Sequence, residues 1–183
     1  MKLMFASDIH GSLPAAEKVI ELYQSSGAEG LILLGDLLNH GPRNPLPDGY
    51  FPAQVAEILN PYAKEIIAVR GNCDSEVDQM LLDFPMMSDF SWVMLESGQR
   101  LFLTHGHIYN QANLPPLAKG DVLIHGHTHI PVAQSCGEYY WFNPGSVTFP
   151  REGFPPGYGL YESDCLKVLS LDGDDVGTVC LGV

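Results

Sequence analysis

An α/β fold is what the sequence predicts, on three observations. Through the first half, short apolar runs alternate with amphipathic segments, the pattern of strand-helix-strand units around a buried sheet. The 183 residues are 45% hydrophobic and 17% charged, enough for one full core, so a single domain over residues 1–183 is expected. From Tyr139 onward the pattern changes to short strands broken by turn signals, at Asn143-Pro144-Gly145, Ser163-Asp164 and Asp172-Gly173, and antiparallel hairpins are expected there.

Taken in order, residues 3–6 read as the first strand. Ser12 is a candidate N-cap and Pro14 suits a first helical turn, while Ala15, Ala16, Val19, Ile20 and Tyr23 line one helix face; Gly27 ends that helix. Residues 31–34 form a second buried strand, 55–62 a second helix and 66–69 a third strand. The apolar runs at 101–103 and 122–124 repeat the strand signature. Between Asp36 and Gln54 lies a loop rich in Pro and Gly, too long for a simple connector and of the kind that serves sites. No internal repeat or low-complexity segment argues for a second domain.

Composition excludes some functions. A formal net charge of −13 opposes nucleic acid, and the nine Lys plus Arg form no basic track, so neither a nucleic-acid partner nor a nuclease is expected. The opening apolar run is too short for a signal-peptide core, and no stretch approaches the roughly 18 to 20 apolar residues that span a bilayer. A cytoplasmic protein without a membrane partner is the expectation. The cysteines at 73, 136, 165 and 180 form no C-x-x-C pair and read as free thiols, with Cys136, Cys165 and Cys180 as small apolar packing residues. The acidic run at Asp172, Asp174 and Asp175 lacks an EF-hand pattern and reads as a hairpin turn.

The informative polar residues all follow strands. Asp8 and His10 come after the first, Gly35-Asp36 after the second, Gly71-Asn72 after the third, His105-Gly106 after the fourth, and His125 to His129 after the fifth. The carboxyl edge of such a sheet is where a crevice forms, so these residues are expected to converge. Carboxylate, imidazole and amide oxygen without thiolate suit a catalytic site for intermediate divalent metals. The i, i+2 spacing of Asp8 with His10 and of His127 with His129 puts each pair on one side of an extended backbone. Glycines 35, 71, 106 and 126 let the backbone turn beside a crowded site.

These blocks resemble the calcineurin-like metallophosphoesterase superfamily, whose motif runs D-x-H, G-D, G-N-H-D/E, H and G-H-x-H. They read here as D-I-H-G from Asp8, G-D at Gly35-Asp36, G-N-C-D from Gly71, T-H-G-H from Thr104 and G-H-T-H from Gly126, across roughly two-thirds of the chain. With G-N-C-D and the later Asn143-Pro144-Gly145-Ser146-Val147, the chain is similar to the superfamily's small single-domain phosphodiesterases of bacteria and archaea. The resemblance implies a four-layer αββα sandwich of two mixed sheets flanked by helices. It also implies a binuclear centre, with Asp8, His10 and His129 holding one metal, Asn72, His105 and His127 the other, and Asp36 bridging. Manganese is the first choice, with iron, nickel, cobalt or zinc as alternatives.

The activity so implied is hydrolysis of small phosphate esters, preferably diesters, by hydroxide held between two cations. Two dications against two carboxylates leave a cationic pocket in an acidic protein, and the metals bring the water pKa from about 15.7 toward about 7. Asp36, Asn72 and His105 then act through metal and phosphate positioning. Cys73 stands where the superfamily has histidine and is expected to be a bystander, which favours substrates with good leaving groups. Arg43 is a candidate phosphate contact, and Arg151 has a similar claim; an exposed arginine is more often simply solvated. His107 and His125 read as structural or supporting, and His40 has no assigned role. The rival from another class is an interaction module that kept the fold and lost catalysis, as the retromer's metallophosphoesterase-like subunit has; gaps among the seven ligands would mark it, and there are none. A homo-oligomer is compatible with the sequence.

Overall fold

The computed structural model describes residues 1–182. Strand β1 (Leu3–Ala6) leads into helix α1 (Leu13–Ser26), capped by the Ser12 side chain, which accepts from the Ala15 N–H. The helix stops at Gly27, whose φ of 72° is the left-handed C-cap that a residue without Cβ adopts freely. Strand β2 (Gly30–Leu33) follows, then helix α2 (Pro52–Leu59), a 3-10 turn (Asn60–Tyr62) and strand β3 (Ile66–Ala68). The second helix is shorter than the expected 55–62 at its far end and starts earlier. Pro52 pre-sets its first turn, and Pro61, with no N–H to donate, breaks the α pattern.

After a short helix α3 (Glu76–Gln79) come β4 (Phe90–Met94), β5 (Arg100–Thr104), β6 (Val122–Ile124), β7 (Val132–Ser135) and β8 (Tyr140–Asn143), then β9 (Gly157–Glu162), β10 (Cys165–Ser170) and β11 (Asp175–Cys180). One sheet has the order β11-β10-β9-β1-β2-β3 and the other β4-β5-β6-β8-β7. Both are mixed: β1, β2 and β3 run parallel beside the antiparallel β9–β11, and β5, β6 and β8 run parallel between the antiparallel β4 and β7. The expected hairpins are present at β9–β10 and β10–β11. Asn143-Pro144-Gly145 is different, because β8 and β9 lie in separate sheets and the segment between them passes the carboxyl edge instead of closing a hairpin.

Strand alternation divides the core in two. Met4, Ala6, Leu31 and Leu33 face outward to α1 and α2, packing on Ala16, Val19, Val55 and Leu59. Leu3, Phe5, Ile32 and Leu34 face inward and meet Leu101, Leu103, Val122, Ile124 and Phe142 of the second sheet. On the outer side of that sheet, Phe102 is covered by Tyr109 and Trp92, with ring centroids 5.3 and 4.8 Å away, and Arg100 lies over the Trp92 ring. The free-thiol reading fails at two positions. Cys165 and Cys180 are direct cross-strand partners in the β10–β11 ladder and are joined as a disulfide, while Cys73 and Cys136 are free.

Candidate metal centre

All seven predicted ligands meet at the carboxyl ends of β1, β2, β3, β5 and β6, and their donor atoms form one continuous chain. His129 Nε2 lies 3.1 Å from Asp8 Oδ1, which lies 3.6 Å from His10 Nε2. His10 Nε2 is 3.8 Å from Asp36 Oδ2, and the same oxygen is 3.4 Å from His105 Nε2. His105 Nε2 then meets Asn72 Oδ1 at 3.1 Å and His127 Nδ1 at 3.2 Å. Two donors bound to one ion at about 2.1 Å sit roughly 3 to 3.5 Å apart; four of the six spacings fall in that range and the two at His10 Nε2 are slightly longer, an arrangement with room for two adjoining coordination shells. Asp36 falls between them.

The hydrogen bonds around the cluster aim its lone pairs inward. His10, His105 and His129 each donate Nδ1–H to a backbone carbonyl, of Asn39, Leu34 and Phe149 respectively, at 2.9, 2.7 and 2.7 Å. That fixes the tautomer and leaves each Nε2 as the acceptor facing the site. Asp8 Oδ2 accepts from Ser7 Oγ and the His127 N–H, whereas Asp8 Oδ1 and His10 Nε2 are buried with no hydrogen-bond partner. Orphaned buried acceptors are costly unless something electropositive joins them. The donor set therefore fits divalent cations.

The electrostatics of the cluster point the same way. Burial would push the His105 imidazole down, yet its contacts with Asp36 and Asp8 hold it up at about 9, so the two carboxylates favour positive charge at this point of the cluster. Burial of Asp8 is likewise outweighed by His10 and His129, which keep its carboxyl well below the usual range. His127 is pushed down to about 4 by burial and by the charge on His105, leaving it neutral and competent as a ligand.

The backbone reaches this arrangement by a route the spacing did not indicate. Asp8, His10, Asp36, His127 and His129 have φ between 53° and 65°, so the paired residues are in the left-handed region and not in extended chain. Their side chains converge because the backbone coils, and each such non-glycine residue costs on the order of 1 to 3 kcal/mol. Gly71 and Gly126 also act differently from expectation. Neither needs a positive φ; a Cβ at Gly71 would overlap the Asp36 carboxylate and backbone nitrogen, and one at Gly126 would overlap Ser7 Oγ and the Asp8 carboxylate.

Several supporting residues were not singled out in the sequence. Asp74, buried, accepts from the N–H groups of Asp36, Leu37 and Gly71 at 2.8, 2.9 and 2.7 Å and so ties the second and third strand ends together. Its burial and the neighbouring Asp36 raise its carboxyl to about 6. Ser146 Oγ donates to the Asp8 carbonyl, and Asn143 Nδ2 donates to the Gly126 carbonyl and Thr128 Oγ1. Asp74 closes the G-N-C-D block, and Asn143 and Ser146 belong to the Asn143–Val147 stretch, so position within a motif was the available signal.

The remaining candidates divide. Arg43 and Arg151 line one cavity of about 310 Å³ together with Asp36, Asn72, Cys73 and His127. The Cys73 N–H donates to Asp36 Oδ1 at 2.8 Å, and its thiol lies within 4.8 Å of donor atoms of His10 and Asp36. Burial, then Asp36, pushes that thiol well above its ordinary range. His125 is structural: it accepts from Trp141 Nε1–H and donates Nδ1–H to the Gly126 carbonyl, so it must be neutral. His107 packs 5.4 Å from His105, and His40 packs on Tyr50 away from the cavity lining.

A two-sheet sandwich carrying a mixed N/O cluster at the strand ends is the architecture of the calcineurin-like phosphoesterase superfamily domain, whose profile matches residues 1–165; the chain belongs to this family. It is 60% identical over 176 residues to the phosphodiesterase YfcE of Escherichia coli K12, covering 96% of this chain and 95% of that one. It is 31% identical to the phosphodiesterase MJ0936 of Methanocaldococcus jannaschii, over 85% and 89% of the two chains. The solved structure of the E. coli phosphoesterase YfcE superposes over the full length of both chains, with a TM-score of 0.98 at 58% identity.

Proposed function

We propose that this chain is a divalent-metal-dependent phosphodiesterase that hydrolyses small phosphodiesters. The observation that carries the reading is the uninterrupted series of seven donors, 3.1 to 3.8 Å apart, which Asp36 divides into two ligand sets. The names of the two relatives support a diester, and manganese remains the first choice of ion. Bound there, two cations would supply Lewis acidity toward the phosphoryl oxygens and a water acidic enough to act as nucleophile near neutral pH.

The chain's own part is positional. His10, His105 and His129 hold their lone pairs on the site through Nδ1–H anchors, Asp36 spans the two sets, and Asn72 presents an amide oxygen at the exposed rim. A complete donor set argues against an idle interaction module. The test is metal analysis of the purified protein combined with mono- and diester substrates assayed with each added cation. Two ions per chain and diester turnover are expected, and a chelator should abolish turnover while circular dichroism shows the fold retained, because two apolar cores remain. Unfolding on chelation would make the ions structural and sink the catalytic reading.

Cys73 sharpens the substrate expectation. A general acid contributes typically about 10²- to 10⁴-fold when the leaving oxygen is poor and little when it departs as a stable anion. With a thiol in place of imidazole, aryl diesters should be turned over well and alkyl monoesters such as simple sugar phosphates poorly. Cys73→Ser is expected to leave aryl-diester turnover within a few-fold of the parent. A loss of two orders of magnitude with both ions still bound would show that the thiol takes part.

A further inference from the structure

We propose that Arg43 and Arg151 form a two-sided anion clamp beside the metal cluster, and that the substrate is a phosphodiester whose non-leaving arm carries a further phosphate. The inference rests on the phosphodiesterase reading and deepens it. Both arginines line the cavity that opens on Asp36, Asn72, His127 and His129, and they come from different segments of the chain. Each segment is tied to a ligand of the first set. Asn39 accepts from His10 through its carbonyl and from the Gly41 N–H through Oδ1, at 2.9 and 2.8 Å, which anchors the Arg43 loop. The Arg151 N–H donates to the His129 carbonyl at 3.2 Å.

Their charges are also unspent. Arg70 pairs with Asp89 at 2.8 Å and Arg100 pairs with Asp121, but among the described residues neither Arg43 nor Arg151 has a carboxylate within 4.0 Å, in a chain with 22 Asp plus Glu. Guanidinium forks left open in so acidic a protein are suited to bidentate capture of phosphate.

Formal charge selects the ligand class. Two dications against Asp8, Asp36, Asp74 and the hydroxide nucleophile leave no net charge, and the two arginines raise it to two. A plain diester brings one negative charge and leaves one positive charge uncompensated, whereas a diester with a phosphorylated arm brings about three at neutral pH and satisfies both guanidiniums. Among the described residues no Phe, Tyr or Trp lines the cavity, so a nucleobase would find no stacking platform. A volume of about 310 Å³ is at the small end for ligand sites, about 300 to 1,000 Å³. The arm is therefore short and aliphatic or polyol in character, with its phosphate between the two guanidiniums.

Two substrates sharing one leaving group test this: ethyl p-nitrophenyl phosphate, and the p-nitrophenyl diester of 2-phosphoethanol, assayed with manganese-loaded protein. The parent should favour the phosphorylated arm in kcat/KM by about 10-fold or more, the scale of a charge-assisted hydrogen bond. In the Arg43→Gln/Arg151→Gln double variant that ratio should fall to near one. Calorimetry gives a readout apart from turnover: the parent should bind ethylene glycol bisphosphate at least about 10-fold more tightly than 2-hydroxyethyl phosphate, and the double variant should lose the difference. A parent ratio of one or less, or an equal loss on both substrates in the double variant, overturns the clamp. If loaded parent hydrolyses neither diester, the phosphodiesterase reading fails instead, and the bisphosphate preference still decides the clamp.

Discussion

Asp36→Asn should reduce aryl-diester turnover by about 10³-fold or more, and His127→Ala by a similar factor. Removing a partner that merely orients a ligand typically costs about 10- to 100-fold, and on the proposed assignment these two changes remove ligating atoms themselves. Asp36 is the hinge of the donor chain, with Oδ2 3.8 Å from His10 Nε2 and 3.4 Å from His105 Nε2 while Oδ1 is held by the Cys73 N–H. An amide keeps one oxygen but puts an NH₂ donor where a second lone pair is needed. His127 offers Nδ1 at 3.2 Å from His105 Nε2, and truncation opens that shell to solvent. Metal analysis should show fewer than two ions per chain with the far-ultraviolet spectrum unchanged. Near-normal turnover in both variants would refute the ligand assignment.

The largest stability effect is expected at Asp74. Truncation to Ala strands three buried N–H groups, of Asp36, Leu37 and Gly71, each worth about 1 to 3 kcal/mol unsatisfied. Against that stands the relief of no longer holding an ionised carboxylate under burial and beside Asp36, the pair of causes that raise its pKa to about 6. The N–H losses outnumber the single relief, so a net destabilisation of about 3 kcal/mol is expected, or roughly 6 to 12 °C in Tm for a chain of this size. Asp74→Asn retains one acceptor oxygen and should fall between Ala and the parent. Thermal unfolding with metal chelated isolates the effect from ion binding, and a shift under about 2 °C for Asp74→Ala would mean that other groups satisfy those amides.

Much of the site was legible because its chemistry lies at strand ends, and the strands are short buried runs that advertise themselves. Asp8, Asp36, Asn72, His105 and His127 could be placed at one edge from hydrophobic periodicity alone. The β4 and β7 strands were not foreseen, since both are edge strands with polar residues such as the half-buried Ser91 and the exposed Gln134 that dilute the apolar signal. The Cys165–Cys180 pairing depends on the β10–β11 register, which the number and spacing of cysteines do not specify. The anchoring carbonyls of Leu34, Asn39 and Phe149 were equally hidden, because every residue has a carbonyl and only the fold selects which one an imidazole reaches.

The left-handed backbone at Asp8, His10, Asp36, His127 and His129 also bears on how the gene can drift. At those positions glycine or asparagine would hold the same turns with less strain, so mutation under selection for foldability alone would erode the aspartates and histidines and gain stability in the process. Chemistry and folding thus pull in opposite directions at five positions of one cluster. A descendant released from hydrolysis would be expected to lose its ligands there first, and to melt at a higher temperature once it had.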